Sequence, residues 1–186
     1  MSARAVFLDR DGTLITNRNF GFRPNEIEFM DGLIEGLRLL QRAGFDLVVV
    51  TNQSGVARGL FSESAVQEMH SRMEDLLARV GITLSRFYYC PHHPEGQVPE
   101  YSFDCDCRKP RPGLILRATG ELGIDSTRSW LVGDIMDDIL AGRRAGCRTI
   151  LVNGWYERLK HSFHPHPHFI ANNFLQAARL MVGTHQ

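Results

Sequence analysis

Ala5-Val6-Phe7-Leu8-Asp9-Arg10-Asp11-Gly12-Thr13 runs from an apolar stretch straight into two carboxylates and a glycine. The apolar part reads as a buried strand, and its C-terminal edge delivers Asp9 and Asp11 into a loop. Two apart on a strand end, both side chains can leave the same face, and Gly12 lets the chain turn at once. Taken alone, Asp-x-Asp-Gly fits a turn or a divalent-ion loop as well as a catalytic site. The rest of the chain has to decide.

Outward from that strand, Leu33, Leu37 and Leu40 stand at helical spacing with Gly44 as a C-terminal cap. Residues 47–50 form a second buried strand that ends in Thr51-Asn52-Gln53-Ser54-Gly55. Val66, Met69, Met73, Leu76, Leu77 and Val80 mark one face of a further helix, opened by Ser62 or Ser64 and followed by β-prone residues 86–89. That Met and Leu stripe reads as core. A helix over 114–122, a strand over 130–132 ending in Gly133-Asp134, a helix to Ala145 and a strand over 149–152 complete the pattern. Strands alternating with helices predict an α/β fold, a Rossmann-like parallel sheet with helices on both faces. Ligands bind beyond the carboxyl ends of such strands, so Asp9, Thr51 and Asp134 should meet in one crevice. Asp137 reads as an acidic residue at a helix start.

At 186 residues the chain suits a single domain over 1–186, with a loop at 90–109 and an extended tail at 157–186. Lysine plus arginine and aspartate plus glutamate both number 21, which leaves no electrostatic footprint for nucleic acid. No apolar run approaches the roughly 20 residues of a membrane span, and residues 2–4 open no signal peptide. A cytoplasmic monomer is expected. His161, His164, His166 and His168 alternate with Pro165 and Pro167, which suggests an exposed extended segment, although such a tract could also bind a metal.

Cys90-Pro91-His92 and Cys105-Asp106-Cys107 give two close ligand pairs separated by a loop, and three thiolates with one imidazole make a closed tetrahedral zinc site. Buried thiols or a disulfide across the loop are the alternatives, and His93 competes with His92 as the imidazole. A structureless stretch over 91–112 needs a tie, and structural zinc would supply one.

Four ordered motifs decide the Asp-x-Asp-Gly question: residues 7–13, Val50-Thr51-Asn52-Gln53, Arg108-Lys109-Pro110, and Val132-Gly133-Asp134 with Asp138 four residues on. Together they resemble the haloacid dehalogenase superfamily of phosphotransferases. The resemblance implies that fold without a large cap domain. It implies Asp9 as nucleophile, Asp11 as general acid and base, and Thr51 and Lys109 as stabilisers of the phosphoryl group. It also implies Mg²⁺ on Asp9, Asp134 and the backbone carbonyl of Asp11, with Asp138 supporting the site from behind.

The cysteine loop, with Ala57-Arg58-Gly59 and Tyr88-Tyr89-Cys90-Pro91-His92-His93-Pro94, resembles the histidinol-phosphatase-like branch and within it the heptose bisphosphate phosphatases. The substrate implied is D-glycero-D-manno-heptose 1,7-bisphosphate, losing its 7-phosphate in the synthesis of activated heptose for lipopolysaccharide core or surface glycans. Asn17, Asn52, Gln53, Ser54, Arg58 and Arg108 would grip it. Histidinol phosphate or another small ester is the alternative substrate. Ile15, Asn19 and Ile135 depart from the heptose pattern, which has Asn, Gly and a basic residue there. A zinc-stabilised binding module without catalysis, or a phosphomutase, are the rival classes. A phosphomutase usually needs a cap to exclude water.

Overall fold

The computed structural model describes residues 3–16, 26–152 and 166–184. β1 (Ala5–Leu8), β2 (Asp46–Asn52), β3 (Arg86–Cys90), β4 (Trp130–Gly133), β5 (Arg148–Val152) and β6 (Phe169–Ala171) form one sheet in the order β3-β2-β1-β4-β5-β6. Every pairing is parallel. β1 lies between β2 and β4, and Ala5, Val6, Phe7 and Leu8 are all fully buried. Burial on both faces explains why β1 reads as an unbroken apolar run rather than an alternation.

The two-residue period of a strand divides the core. Val6, Leu8, Leu47, Val49, Trp130 and Val132 face one side, where they pack with α1 (Leu33–Arg42), α2 (Glu63–Ala78) and α5 (Phe174–Gly183). Ala5, Phe7, Val48, Val50 and Leu131 face the other, against α3 (Gly113–Leu122) and α4 (Met136–Arg144). Each of the larger side chains contributes about 1.5–3 kcal/mol by leaving water. The helices therefore cover both faces, as the alternation of elements predicts.

Local chemistry sets where the helices begin and end. Of the two candidate serines, Ser62 is the N-cap of α2, and its hydroxyl accepts from the Ala65 amide at 3.2 Å. Val66, Met69, Met73 and Leu77 of the predicted stripe are buried, whereas Val80 lies past the helix end and is exposed. β3 runs one residue further than expected, to Cys90, which carries the strand into the cysteine loop. No helix among the described residues is long and apolar enough to cross a membrane.

The extended tail expected over 157–186 needs correction from residue 169 onward. Phe169–Ala171 adds β6 to the sheet edge, and Asn173 caps α5 by accepting from the Gln176 amide at 2.9 Å. Phe174, Ala177, Ala178 and Met181 are the buried face of α5, at a helical spacing that the proline-histidine alternation upstream overshadowed. Phe174 lies so close to α1 that a Cβ on Gly36 would stand 2.6 Å from its ring. α5 is thus part of the core. Phe174→Ala should lower unfolding free energy by about 3–5 kcal/mol, measured by urea denaturation. A change under about 0.5 kcal/mol would show that α5 does not pack there.

Candidate active site

Asp9 follows β1, Thr51 lies near the end of β2, and Asp134 follows β4, so the sheet brings their side chains to one edge. The Asp9 amide donates to Val132 O at 2.9 Å, which draws the end of β1 against β4. Lys109 comes from the loop between β3 and α3. Asn52 holds the Lys109 backbone at both ends, donating to its carbonyl and accepting from its amide at 3.0 Å each. The Lys109 side chain is buried, and its Nζ reaches Asp9 Oδ1 at 2.6 Å, Asp138 Oδ1 at 2.5 Å and Val50 O at 2.9 Å.

Carboxylate oxygens of Asp9, Asp134 and Asp138 lie within 4.8 Å of one another. Three carboxylates against one ammonium leave a formal charge of −2. Burial raises the Asp9 pKa well above the usual range, with Lys109 opposing and Asp138, Asp134 and Asp11 adding to the rise. Burial and then Asp138 push Asp134 up to about 6. Lys109 stays charged, because Asp138 and Asp9 outweigh its burial. An all-oxygen donor set carrying two excess negative charges fits a hard divalent cation. Asp138 differs from the other two, since its second oxygen, Oδ2, accepts from the Ile135 amide at 3.3 Å. With both oxygens engaged, it backs Lys109.

Two glycines make room for this cluster. Gly12 has φ +86°, and a Cβ there would stand 2.2 Å from Asp134 Oδ2. A Cβ on Gly133 would stand 2.3 Å from the Asp138 carboxyl group. Neither position admits a side chain without displacing a carboxylate.

Asp11 is held by a second network. Arg10 donates to Asp11 Oδ1 from Nη2 and to Oδ2 from Nε, both at 3.1 Å, while Gln53 Nε2 donates to Asp11 Oδ2 at 2.8 Å. Gln53 Nε2 also donates to Thr51 Oγ1 at 2.9 Å, so the Thr51 hydroxyl accepts there and its own hydrogen can serve an incoming oxygen. Arg10 was not among the expected site residues, although it stands between the two aspartates.

Cys90, His92, Cys105 and Cys107 also lie within 4.8 Å of one another. Neighbouring ligand atoms are 3.2 Å apart for Cys105 and Cys107, 3.3 Å for His92 Nδ1 and Cys107, 3.5 Å for Cys90 and Cys105, and 3.7 Å for Cys90 and His92 Nδ1. Ligand atoms around a tetrahedral zinc stand roughly 3.5–3.8 Å apart, and these separations lie within or a few tenths of an ångström below that range, close enough for the four donors to share one ion. A hydrogen bond from Cys90 lowers the Cys107 thiol to about 5, which favours the thiolate form that metal binding needs. His93 turns elsewhere, with Nδ1 accepting from the Glu95 amide and Nε2 facing Arg58.

Among the expected substrate residues, Asn52 and Gln53 are engaged as described and act as braces inside the site. Ser54 and Arg58 belong to the loop after β2, with the Arg58 amide donating to Ser54 O at 3.0 Å. Arg58 Nη2 lies 3.2 Å from His93 Nε2, and Arg108 donates to His92 O at 3.4 Å. Asn17, Asn19, His161 and His164 lie outside the described residues. His168 accepts from the Thr149 amide at 2.9 Å, which ties it to β5 in place of an extended tail. Ile15 is buried in the core, so its departure from the heptose pattern concerns packing. Ile135 follows Asp134 in the chain and is 51% exposed.

The raised Asp134 pKa sets a pH dependence. Between the ordinary 3.8 and about 6 the folded chain keeps a proton that the unfolded chain releases, so without a cation stability falls as pH rises through that window. A divalent cation needs the ionised form. Its stabilising shift in Tm should therefore be larger at pH 7.5 than at pH 5, measured by thermal melts with and without 5 mM Mg²⁺, about 5 mM being an ample excess over typical sites. Equal shifts at both pH values would contradict this assignment of the carboxylates.

Residues 106–177 match the family described as HAD-hydrolase-like. The D-glycero-β-D-manno-heptose-1,7-bisphosphate 7-phosphatase of Pasteurella multocida is 49% identical over 150 residues, 80% of this chain and 81% of that protein. The protein of the same name in Escherichia coli K12 is 45% identical over 148 residues, 80% of this chain and 78% of that one. The crystal structure of D,D-heptose 1,7-bisphosphate phosphatase from B. bronchiseptica, complexed with magnesium and phosphate, superposes with a TM-score of 0.84 at 28% identity, covering 97% of this chain and 99% of that one. The chain belongs to the haloacid-dehalogenase-like hydrolases, in the family of the heptose-1,7-bisphosphate 7-phosphatases.

Proposed function

We propose that the chain is a Mg²⁺-dependent phosphomonoesterase that removes the 7-phosphate of D-glycero-D-manno-heptose 1,7-bisphosphate through a phosphorylated Asp9. The observation that carries the reaction is the buried Asp9, Lys109 and Asp138 ion cluster with Asp134 beside it. The substrate follows from the relatives, whose names state that activity.

Asp9 attacks the phosphorus while the ester oxygen leaves. Asp11, protonated at that moment, gives its proton to the leaving oxygen. Asp11 then takes a proton from water, which attacks the phosphorus, releases inorganic phosphate and restores the Asp9 carboxylate. Lys109 and the Thr51 hydroxyl face the charge that spreads over the phosphoryl oxygens. When bound by Asp9, Asp134 and the Asp11 carbonyl, Mg²⁺ supplies the remaining positive charge at those oxygens. Arg58 and Arg108 would meet the rest of the substrate as cations, and Asn17 and Ser54 would complete its grip. Zinc on Cys90, His92, Cys105 and Cys107 pins the loop that delivers Arg108 and Lys109. The protein works as a cytoplasmic monomer on a small sugar phosphate, and its 21 basic and 21 acidic residues leave no electrostatic footprint for nucleic acid.

Steady-state phosphate release should be fastest with heptose 1,7-bisphosphate when both anomers, histidinol phosphate and other small esters are compared. It should require Mg²⁺ and fall more than about 10³-fold in Asp9→Asn. Folded protein with Mg²⁺ that hydrolyses none of these esters would refute the reading, and a preference for histidinol phosphate would move it to the neighbouring branch.

Purified protein should carry one zinc per chain by elemental analysis. Cys105→Ser should lose that zinc and cut turnover by at least about tenfold, because the loop no longer holds Lys109. Full turnover without zinc would remove this role.

A further inference from the structure

α2 sends one titratable side chain into the apolar core. His70 is 6% exposed, lies flat on Phe87 with ring centroids 4.3 Å apart, and meets Tyr89 edge-on at 5.5 Å. Its Nε2 stands 3.3 Å from Arg10 Nη1. A guanidinium only donates and stays charged, so Nε2 accepts and the ring proton sits on Nδ1. Burial, and then the charge of Arg10, drive the His70 pKa down to about 3, so the ring is neutral wherever the protein is folded and working.

Arg10 is itself buried, and its donors are divided by direction. Nη1 meets His70, Nη2 donates to Gln53 Oε1 at 2.8 Å, and Nη2 with Nε grips Asp11. Removing the acceptor on the far side would leave the buried Arg10 Nη1 without that partner and the guanidinium held only from the Gln53 and Asp11 side. Stacking on Phe87 fixes the imidazole in turn, so the chain of restraint runs from the core through Arg10 to the carboxylate.

We propose that His70 is a positioning residue for phosphoryl transfer, fixing the guanidinium of Arg10 and through it the carboxylate of Asp11. The proposal rests on Asp11 being the general acid and base. A packing role alone would need only a flat apolar ring on Phe87, and that difference is measurable.

His70→Phe keeps the ring and loses the acceptor, whereas His70→Gln keeps an amide oxygen within reach of Arg10. With Mg²⁺ and the substrate that the parent protein turns over best, His70→Phe should lower kcat about 10- to 100-fold, a part of what general acid-base catalysis contributes, while KM stays within about twofold. His70→Gln should recover most of the lost kcat at equal thermal stability. Parental kcat in His70→Phe, or an equal loss in both variants, would overturn the proposal. Nitrogen NMR of the parent protein gives a test that needs neither variant to fold. It should show His70 with Nε2 unprotonated and Nδ1 protonated from pH 5 to pH 8, and a protonated Nε2 would overturn the proposal directly. Absence of turnover in the parent would instead refute the phosphatase reading, and the NMR signature would stand apart from it.

Discussion

An ammonium group buried in a protein interior is costly unless charges and hydrogen bonds meet it on every side. Lys109 Nζ satisfies that condition with Asp9, Asp138 and the Val50 carbonyl. Those three partners come from the ends of β1 and β2 and from α4, so one ion cluster ties the centre of the sheet to the loop that carries Lys109. The same cluster sets the electrostatics of the crevice. One lysine leaves the surrounding carboxylates two charges in excess, which is the condition for taking up a divalent cation and, with it, a phosphate ester.

A lysine in that position needs a backbone that cannot wander. Asn52 holds the main chain of Lys109 from one side, and the Cys90, His92, Cys105 and Cys107 cluster gathers the loop from the other. Arg111 adds a bidentate pair with Asp104 and a hydrogen bond to Cys105 O at 2.6 Å. The exposed Arg111 pair contributes little by itself. A metal that holds two segments of the loop together can contribute far more. Zinc on that cluster would act on phosphoryl chemistry through the position of a single side chain, Lys109.

Much of the site was legible in the primary structure because its motifs sit at strand ends, and strand ends in a parallel sheet converge. The apolar runs before Asp9, Thr51 and Asp134 predicted three strands whose ends meet in one crevice, and the strands that carry them, β1, β2 and β4, lie side by side in the order β2-β1-β4. Arg10 and His70 were harder to find. Arg10 lies inside the motif, between two aspartates that already account for its chemistry. His70 sits on the buried side of α2 with Val66, Met69 and Met73, and a polar residue on an apolar stripe was the available signal. α5 was obscured by the proline-histidine alternation that precedes it, although Phe174, Ala177, Ala178 and Met181 carry a helical period.

The sequence by itself determined the alternation of strands and helices, the order of the four motifs, and the residue types that phosphoryl transfer and zinc binding need. Periodicity and local composition are enough for that, since they act over a few residues. Only the tertiary structure decided the partners. It turned His92 into the cysteine cluster and His93 toward Arg58, committed Asn52 to the Lys109 backbone, and set Gln53 between Thr51 and Asp11. Lys109 and Asp9 are 100 residues apart in the chain and 2.6 Å apart in space. A contact of that kind depends on how the whole sheet closes around its loops, and no local pattern in the chain encodes it.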